Sequence, residues 1–378
     1  MVNSEKKKIL VTGSEGFIGK NLLVNLQEKK TFDILTFNRG DDLNKLINHI
    51  EKSDLIVHLA GENRPKDSRD FIKTNLNLTK EIVKLVEANS TKYNKNIPII
   101  FSSSIQVKLQ NEYGKSKLLA EKELEILSKK INSTVNIFRL PGVFGKWSKP
   151  NYNSVVATFC NNIACKKSIY IDEPEKILRL VYIDDVIEKI QDKITNPGKG
   201  FNYISIENEY RVTLKEIAST LHSFMDINKS LLINNVGVGF KRALYSTFLS
   251  FFPKEKFTQK ISKNEDKRGI FVEFLKTNNN GQISYFTALP GVTRGSHYHH
   301  TKSEKFLVIQ GDALFKFRNI INDETFEIRT SRDNSEIINS IPGWVHSIKN
   351  IGENELIVLL WANELFNKNK PDTFSSKT

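Results

Sequence analysis

The chain has 378 residues, 39% of them hydrophobic, and a formal net charge of +13. That length accommodates two domains with separate cores, the two cysteines, Cys160 and Cys165, exclude a disulfide framework, and no apolar run reaches the ~18 residues of a membrane span. The polar start, Met1 to Lys8, leads into no signal-peptide core, so a cytoplasmic location is expected. Lysines are scattered among Asn and Ile, with no dense run beyond Lys6-Lys7-Lys8. Neither nucleic acid nor a membrane is therefore an expected partner, and a basic surface suits phosphate-bearing ligands instead.

Residues 8–12 read as a buried strand, followed by glycines that lead into a helix from about Phe17. Further strands are expected at Ile34 to Phe37, Leu55 to Leu59 and Ile97 to Phe101, the last ending in three serines. Helical patterns at Leu76 to Ala88 and Tyr113 to Ser128 lie between or after them. This alternation predicts an α/β doubly wound parallel sheet of Rossmann type, with ligands at the strand C-terminal ends. Beyond about residue 245 the character changes. Residues 246–265 read as an aromatic, basic connector. From 266 on, short apolar runs alternate with turn signals such as Asn280-Gly281 and Gln310-Gly311, predicting an all-β barrel. The expected division is 1–245, 246–265 and 266–378. The polar tail, Asn367 to Thr378, is expected to fray.

Gly13-x-x-Gly16-x-x-Gly19 sits between the first strand and the first helix, with Phe17 and Ile18 inside the loop. Glycine serves where a backbone turns tightly and approaches a pyrophosphate, whose charge the helix N-terminus then meets. At the end of the second strand, Asn38-Arg39 stands where a carboxylate would favour the 2′-hydroxyl of NAD. An arginine there suits a 2′-phosphate and so NADPH. Tyr113 and Lys117, four apart, share one helix face. An ammonium beside the phenol lowers its pKa and readies it for proton exchange with a carbonyl or alcohol oxygen.

Over residues 7–240 these motifs resemble the extended, nucleotide-sugar-modifying branch of the short-chain dehydrogenases/reductases. The resemblance rests also on Ser102-Ser103-Ser104, His58-Leu59-Ala60-Gly61, Arg139-Leu140-Pro141-Gly142-Val143-Phe144-Gly145 and Val181-Tyr182-Ile183-Asp184-Asp185-Val186. It implies a strand-end hydroxyl at the carbonyl, Ser104 or else Ser103. It also implies a cofactor beside Leu59, Ala60, Gly61 and Pro141, and a sugar-nucleotide diphosphate held by Asn153 and Arg179. Ile105-Gln106 replaces the acidic pair of the family's dehydratases, which favours plain carbonyl reduction.

The second half carries Gly291-x5-His297-x-His299-x4-Glu304-x6-Gly311 and Gly343-x2-His346-x3-Asn350. Three imidazoles and a carboxylate suit Zn, Fe, Mn or Ni, and ligand type alone does not choose among them. Residues 266–365 resemble the cupins, which implies His297, His299, Glu304 and His346 as ligands of a divalent metal, zinc first. Asp266-Lys267-Arg268-Gly269-x-Phe271-x-Glu273 and Arg294-Gly295-Ser296-His297 also resemble the deoxysugar 3,5-epimerases, in which the histidine matching His297 is a base. Both roles stay open for His297. If it is a ligand, His300, Tyr298 and Lys302 are the candidate proton movers.

Taken together with Pro150-Asn151-Tyr152-Asn153-Ser154 and the run from Gly295 to Phe306, the chain resembles the CapF family of bacterial capsular polysaccharide enzymes, a reductase fused to a cupin. The resemblance implies a homodimer acting on a UDP-2-acetamido-2,6-dideoxy-4-hexulose. The cupin would invert C3, and the reductase would then reduce C4 with NADPH to UDP-N-acetyl-6-deoxy-L-talosamine, on a route to UDP-N-acetyl-L-fucosamine. A reductase with a non-catalytic cupin that binds or dimerises is the alternative.

Overall fold

The computed structural model describes residues 6–65, 67–233 and 235–378, so residues 1–5 of the polar start lie outside it. It divides into two compact units, residues 1–221 with 238–253 and residues 222–237 with 254–378.

The first unit contains strands β1 (Lys7–Thr12), β2 (Phe32–Phe37), β3 (Leu55–His58), β4 (Ile99–Ser104), β5 (Val135–Leu140), β6 (Gly142–Phe144), β7 (Ile177–Tyr182), β8 (Phe201–Ile204) and β9 (Glu209–Thr213). Six of them form a parallel sheet in the order β2-β1-β3-β4-β5-β8, and β6-β7-β9 form a smaller sheet. Strands buried on both faces read as continuous apolar runs. In β1, Leu10 packs with Ile56, Phe101 and Ile137 against Leu46, Ile82, Val86 and Leu124 of the helices Leu43–Lys52, Leu78–Tyr93 and Glu112–Ile131. The helices Phe17–Lys29 and Ile183–Thr195 pack on each other, their apolar stripes (Leu22, Leu26; Val186, Ile187, Ile190) fully buried. The sheet is thus doubly wound, as its alternating pattern predicts.

The fourth strand differs from expectation. It starts after Pro98, which has no N–H to donate, and runs through the three serines. Pairing with β5 carries it on, Ser103 opposite Arg139 and Ser104 opposite Leu140. The serines are therefore held in regular strand geometry rather than in a loop. His58, fully buried, bonds Thr12 through Nδ1 (2.7 Å) and Thr79 through Nε2 (3.0 Å), so both ring nitrogens serve the core.

The expected connector, 246–265, contains the end of the helix Gly239–Leu249, a short 3-10 turn at Lys254–Lys256 and the start of β10 (Lys263–Asp266). The second unit continues with β11 (Gly269–Thr277), β12 (Gly281–Ala288), β13 (Thr293–Tyr298), β14 (Glu304–Gln310), β15 (Asp312–Asn319), β16 (Thr325–Ser331), β17 (Ile338–Ser340), β18 (Trp344–Asn350), β19 (Leu356–Ala362) and β20 (Phe374–Ser375). They form two sheets, β10-β11-β12-β19-β14-β17 and β16-β15-β18-β13-β20. Side chains alternate across each strand, and the inward set, including Phe286, Phe306, Phe315, Phe317, Ile348 and Val358, makes one core.

The tail does not fray. β20 pairs with β13, Tyr298 opposite Phe374 and His297 opposite Ser375. Ser376 N–H donates to the Ser296 carbonyl, and Arg318 donates to the Lys377 carbonyl and to Ser376 Oγ. Polar composition marks a solvated segment, but an edge strand with open N–H and C=O groups can order it.

Candidate active sites

In the first unit the loop between β1 and the first helix forms the floor of a cleft of about 850 Å³. Gly13 adopts φ +70° and packs so closely on Ala60 that a Cβ would sit 2.6 Å from its nitrogen. A Cβ on Gly19 would meet the Gly13 carbonyl at 2.3 Å. This cradle brings main-chain N–H groups and a helix N-terminus to the cleft, the arrangement a pyrophosphate requires. Gly13, Gly16, Phe17, Ile18, Gly19, Leu59, Gly61 and Pro141 all line the cleft, as do Ser104, Tyr113, Lys117, Asn153 and Arg179. Ala60 lies beneath, as the surface on which Gly13 packs.

Lys117 is buried and donates to the Ser102 carbonyl at 2.9 Å, with its ammonium 4.7 Å from the centre of the Phe101 ring. Burial pushes its pKa down to about 8, against the pull of Glu121. The phenol of Tyr113 differs from expectation. Its pKa is raised, because burial disfavours the phenolate, while a hydrogen bond with Ser104 works the other way. The Lys117 ammonium on the same helix face is directed at the Ser102 carbonyl, and desolvation is the largest influence on the phenol.

The two candidate serines part company here. Ser103 donates to buried Glu121, which also binds Arg139 (Nη2, 2.6 Å). Ser104 is the one that meets Tyr113.

Asn38 bonds Ser14 Oγ and accepts from Glu15 N–H, so it braces the glycine loop. Arg39, 80% exposed, forms a 2.7 Å ion pair with Glu62. Glu62 also accepts from Tyr152 (3.0 Å) and from the N–H groups of Asn63 and Arg64. Burial raises the Glu62 pKa, but these donors, Arg39 foremost, hold it below the usual carboxylate range. Sequence reading missed Glu62. The available signal was an acid two residues after Ala60, on which the phosphate loop packs. Arg179 is likewise held, by two 2.6 Å bonds to Glu209. Trp147 lines the same cleft with φ +68°, a strained value for a bulky residue.

In the second unit, ligand atoms of His297, His299, Glu304 and His346 all lie within 4.8 Å of one another. His297 and His346 pair directly across β13 and β18, and the β13 register shifts between Gly295 and His297. Such a bulge re-aims the side chains that follow it. His299 lies just past β13, while Glu304 opens β14 in the facing sheet. The cluster is thus closed between the two sheets. Glu304 Oε2 stands 3.3 Å from His299 Nε2 and 3.2 Å from His346 Nε2. Burial favours the neutral acid, but the two imidazoles outweigh it and hold the carboxyl well below its usual range. Burial, and after it His346, pushes His297 down to about 4, which keeps a neutral ring with a free lone pair.

The other ring nitrogens are occupied. His346 Nδ1 bonds Ser340 Oγ at 2.7 Å, and His299 Nδ1 bonds the Asp372 carbonyl. Among the described residues, buried His299 Nε2 has no hydrogen-bond partner of good geometry. An orphaned lone pair among two more imidazoles and a carboxylate fits a divalent cation. Tyr298 stacks on Phe374, and His300 meets the same ring edge-on. Lys302 is buried and donates to the Pro371 carbonyl (2.9 Å) and Thr373 (3.4 Å), which commits its ammonium to the tail.

Comparison with known proteins matches residues 9–202 to the NAD dependent epimerase/dehydratase family and residues 264–374 to the polysaccharide biosynthesis C-terminal domain. A Pseudomonas aeruginosa protein, UDP-2-acetamido-2,6-beta-L-arabino-hexul-4-ose reductase, is 46% identical over 373 residues, covering 97% of this chain and 98% of that one. The capsular polysaccharide assembling protein CapF of Staphylococcus aureus superposes with a TM-score of 0.90 at 37% identity, covering 98% of this chain and 100% of that one. A CapF structure with the inhibitor 3-isopropenyl-tropolone gives 0.85 at 34% identity, with the same coverage. A glycine cradle for a nicotinamide cofactor, a Tyr-Lys pair in its cleft and an antiparallel β-domain matched along the full length place this chain in the CapF family, nucleotide-sugar enzymes that join an extended short-chain dehydrogenase/reductase to a cupin.

Proposed function

We propose that the chain is a bifunctional nucleotide-sugar enzyme. It epimerises C3 of a UDP-2-acetamido-2,6-dideoxy-4-hexulose and then reduces C4 with NADPH to UDP-N-acetyl-6-deoxy-L-talosamine, for capsule or O-antigen synthesis. The observation that carries the two-step reading is the His297, His299, Glu304 and His346 cluster with its orphaned nitrogen. A metal held there would supply the Lewis acid that C3 deprotonation beside a ketone calls for.

At C4, a bound nicotinamide cofactor would supply the hydride. Tyr113 gives the proton to the C4 oxygen, and Ser104 bonds the same oxygen and the phenol. Lys117, still charged below about pH 8, stabilises the phenolate left behind. Arg39 exchanges Glu62 for the 2′-phosphate, and Arg179 and Asn153 face the substrate diphosphate.

At C3, the adjacent ketone acidifies the proton to be moved. A divalent cation, zinc first, would stabilise negative charge developing on the C4 oxygen when held by these four residues. A tropolone carries two adjacent oxygens suited to such an ion, so the inhibitor of the CapF relative supports a metal reading. With Lys302 engaged, His300 and Tyr298, which lie against each other and Phe374, are the remaining candidates to move the C3 proton. Reduction then removes the ketone and locks the new configuration. The reading includes a homodimer in the cytoplasm.

The test is proton exchange without cofactor. The enzyme is incubated with the UDP-4-hexulose in deuterium oxide, and C3 is followed by NMR. Deuterium at C3 supports the epimerase. Reduction without exchange would leave a single-function reductase.

A further inference from the structure

The tail makes its tightest contacts beside the histidine cluster. Asp372 has φ +40°, unusual for a residue other than glycine. Its carboxylate accepts from three successive backbone N–H groups, those of His300 (3.0 Å), Thr301 (2.9 Å) and Lys302 (2.9 Å), and from Thr301 Oγ1 (3.0 Å). Its main-chain carbonyl accepts from His299 Nδ1. One residue therefore grips both the side chain of His299 and the turn that follows it. The contacts around it are equally specific. Lys302 donates to the Pro371 carbonyl, and Phe374 covers Tyr298 and His300.

The chemical consequence falls on His299. A carbonyl can only accept, so Nδ1 must carry the proton and Nε2 must present its lone pair. That nitrogen is the orphan of the cluster.

We infer that the C-terminal strap, residues 371–376, is part of the metal centre, with Asp372 as the positioning residue that fixes the tautomer and ring orientation of His299. This rests on the metal reading above. The strap is a device distinct from Ser340, whose hydroxyl orients the His346 ring from within the barrel but, able to donate or accept, leaves that ring's tautomer open. Asp372 does so from a segment 73 residues away in sequence from the ring it holds.

The experiment measures Zn²⁺ affinity by chelator competition and the visible spectrum of the Co²⁺-loaded full-length protein, for wild type, Asp372→Ala and Asp372→Asn. Thermal unfolding of each metal-free protein reports folding. Outer partners of ligating histidines typically contribute ten- to hundred-fold in affinity. Asp372→Ala keeps the carbonyl on His299 but frees the backbone that positions it, so it is expected to weaken Zn²⁺ by up to about that factor and to shift the Co²⁺ bands. Asp372→Asn, which keeps one accepting oxygen, recovers part of both. Unchanged affinity and spectrum in a variant, whether or not its metal-free melting temperature falls, would overturn the inference and leave the strap purely structural. Should the alanine variant not fold, the asparagine variant is read by the same two criteria. A wild type that binds neither ion refutes the metal reading itself, a different failure from variants that bind as well as wild type.

Discussion

The two sites are built on opposite plans. The cleft of the first unit is a main-chain site. Its shape comes from glycines packed against neighbouring backbone, Gly13 on Ala60 and Gly19 on Gly13, and side chains are added around the rim. The cluster of the second unit is a side-chain site, in which imidazoles and a carboxylate from two sheets meet, three of them buried and His297 half-buried. A main-chain site leaves its signature in consecutive residues, whereas a side-chain site scatters it over strands. The cleft also tolerates charge held in exchangeable pairs, Arg39 with Glu62 and Arg179 with Glu209. The cluster instead holds the outward ring nitrogens of His299 and His346 in hydrogen bonds.

The comparison breaks most sharply if one substitution stops both reactions. Tyr113→Phe is expected to lower the reduction rate by about 10²- to 10⁴-fold, since it removes a positioned acid. C3 exchange in deuterium oxide should be unaffected; if exchange is lost too, the sites are not separable. Glu304→Gln is the mirror experiment. It should strip bound metal, read by elemental analysis after dialysis, and abolish exchange while reduction of an already epimerised substrate continues.

The main-chain character of the cleft is tested by Gly19→Ala. A methyl 2.3 Å from the Gly13 carbonyl must displace the loop, so NADPH binding by fluorescence titration should be lost, with about 1–3 kcal/mol of stability. An NADPH affinity close to wild type would show that the loop yields easily.

Arg39→Ala addresses the exchangeable pair. A charge-assisted bond contributes about 1.5–3 kcal/mol, so the preference for NADPH over NADH should fall by roughly ten- to hundred-fold. Equal affinities for both cofactors in the wild type would remove Arg39 from that role.

The smallest effect is on pH. The pKa of Lys117 is about 8 in the fold and returns to its ordinary value on unfolding. Its buried charge therefore costs stability below about pH 8, and that cost is relieved as pH rises toward ~10.5, where the unfolded chain also loses the proton. Activity runs the other way, and the reduction rate should decline as pH rises through about 8. Lys117→Met should be slow and lack that decline. A wild-type profile flat to pH 10 would show that the charge of Lys117 is not used.

The legible part of each site follows from these plans. The Tyr113-Lys117 and His297-His299 pairs were readable from helix and strand periods, the glycine loop from its place between strand and helix, and Glu304 and His346 from the spacing that resembles the cupins. Ser103 and Ser104 were not distinguishable, since the choice depends on which faces Glu121 and which faces Tyr113. Glu62 and Asp372 left almost no trace. Each acts through backbone N–H groups, and a carboxylate in a turn looks like any solvated acid.

The sequence by itself determined the two architectures, because apolar period and turn chemistry are local properties, and it singled out residues that the fold then gathers at the cleft and at the histidine cluster. Tertiary structure alone decided their states. Burial raised the Tyr113 phenol where its neighbour in the chain implied the reverse. An edge left open on β13 ordered a tail whose composition implied disorder, and that tail reached the ring of His299. Protonation and order both depend on what surrounds a group in space, and that is set only when distant segments have packed.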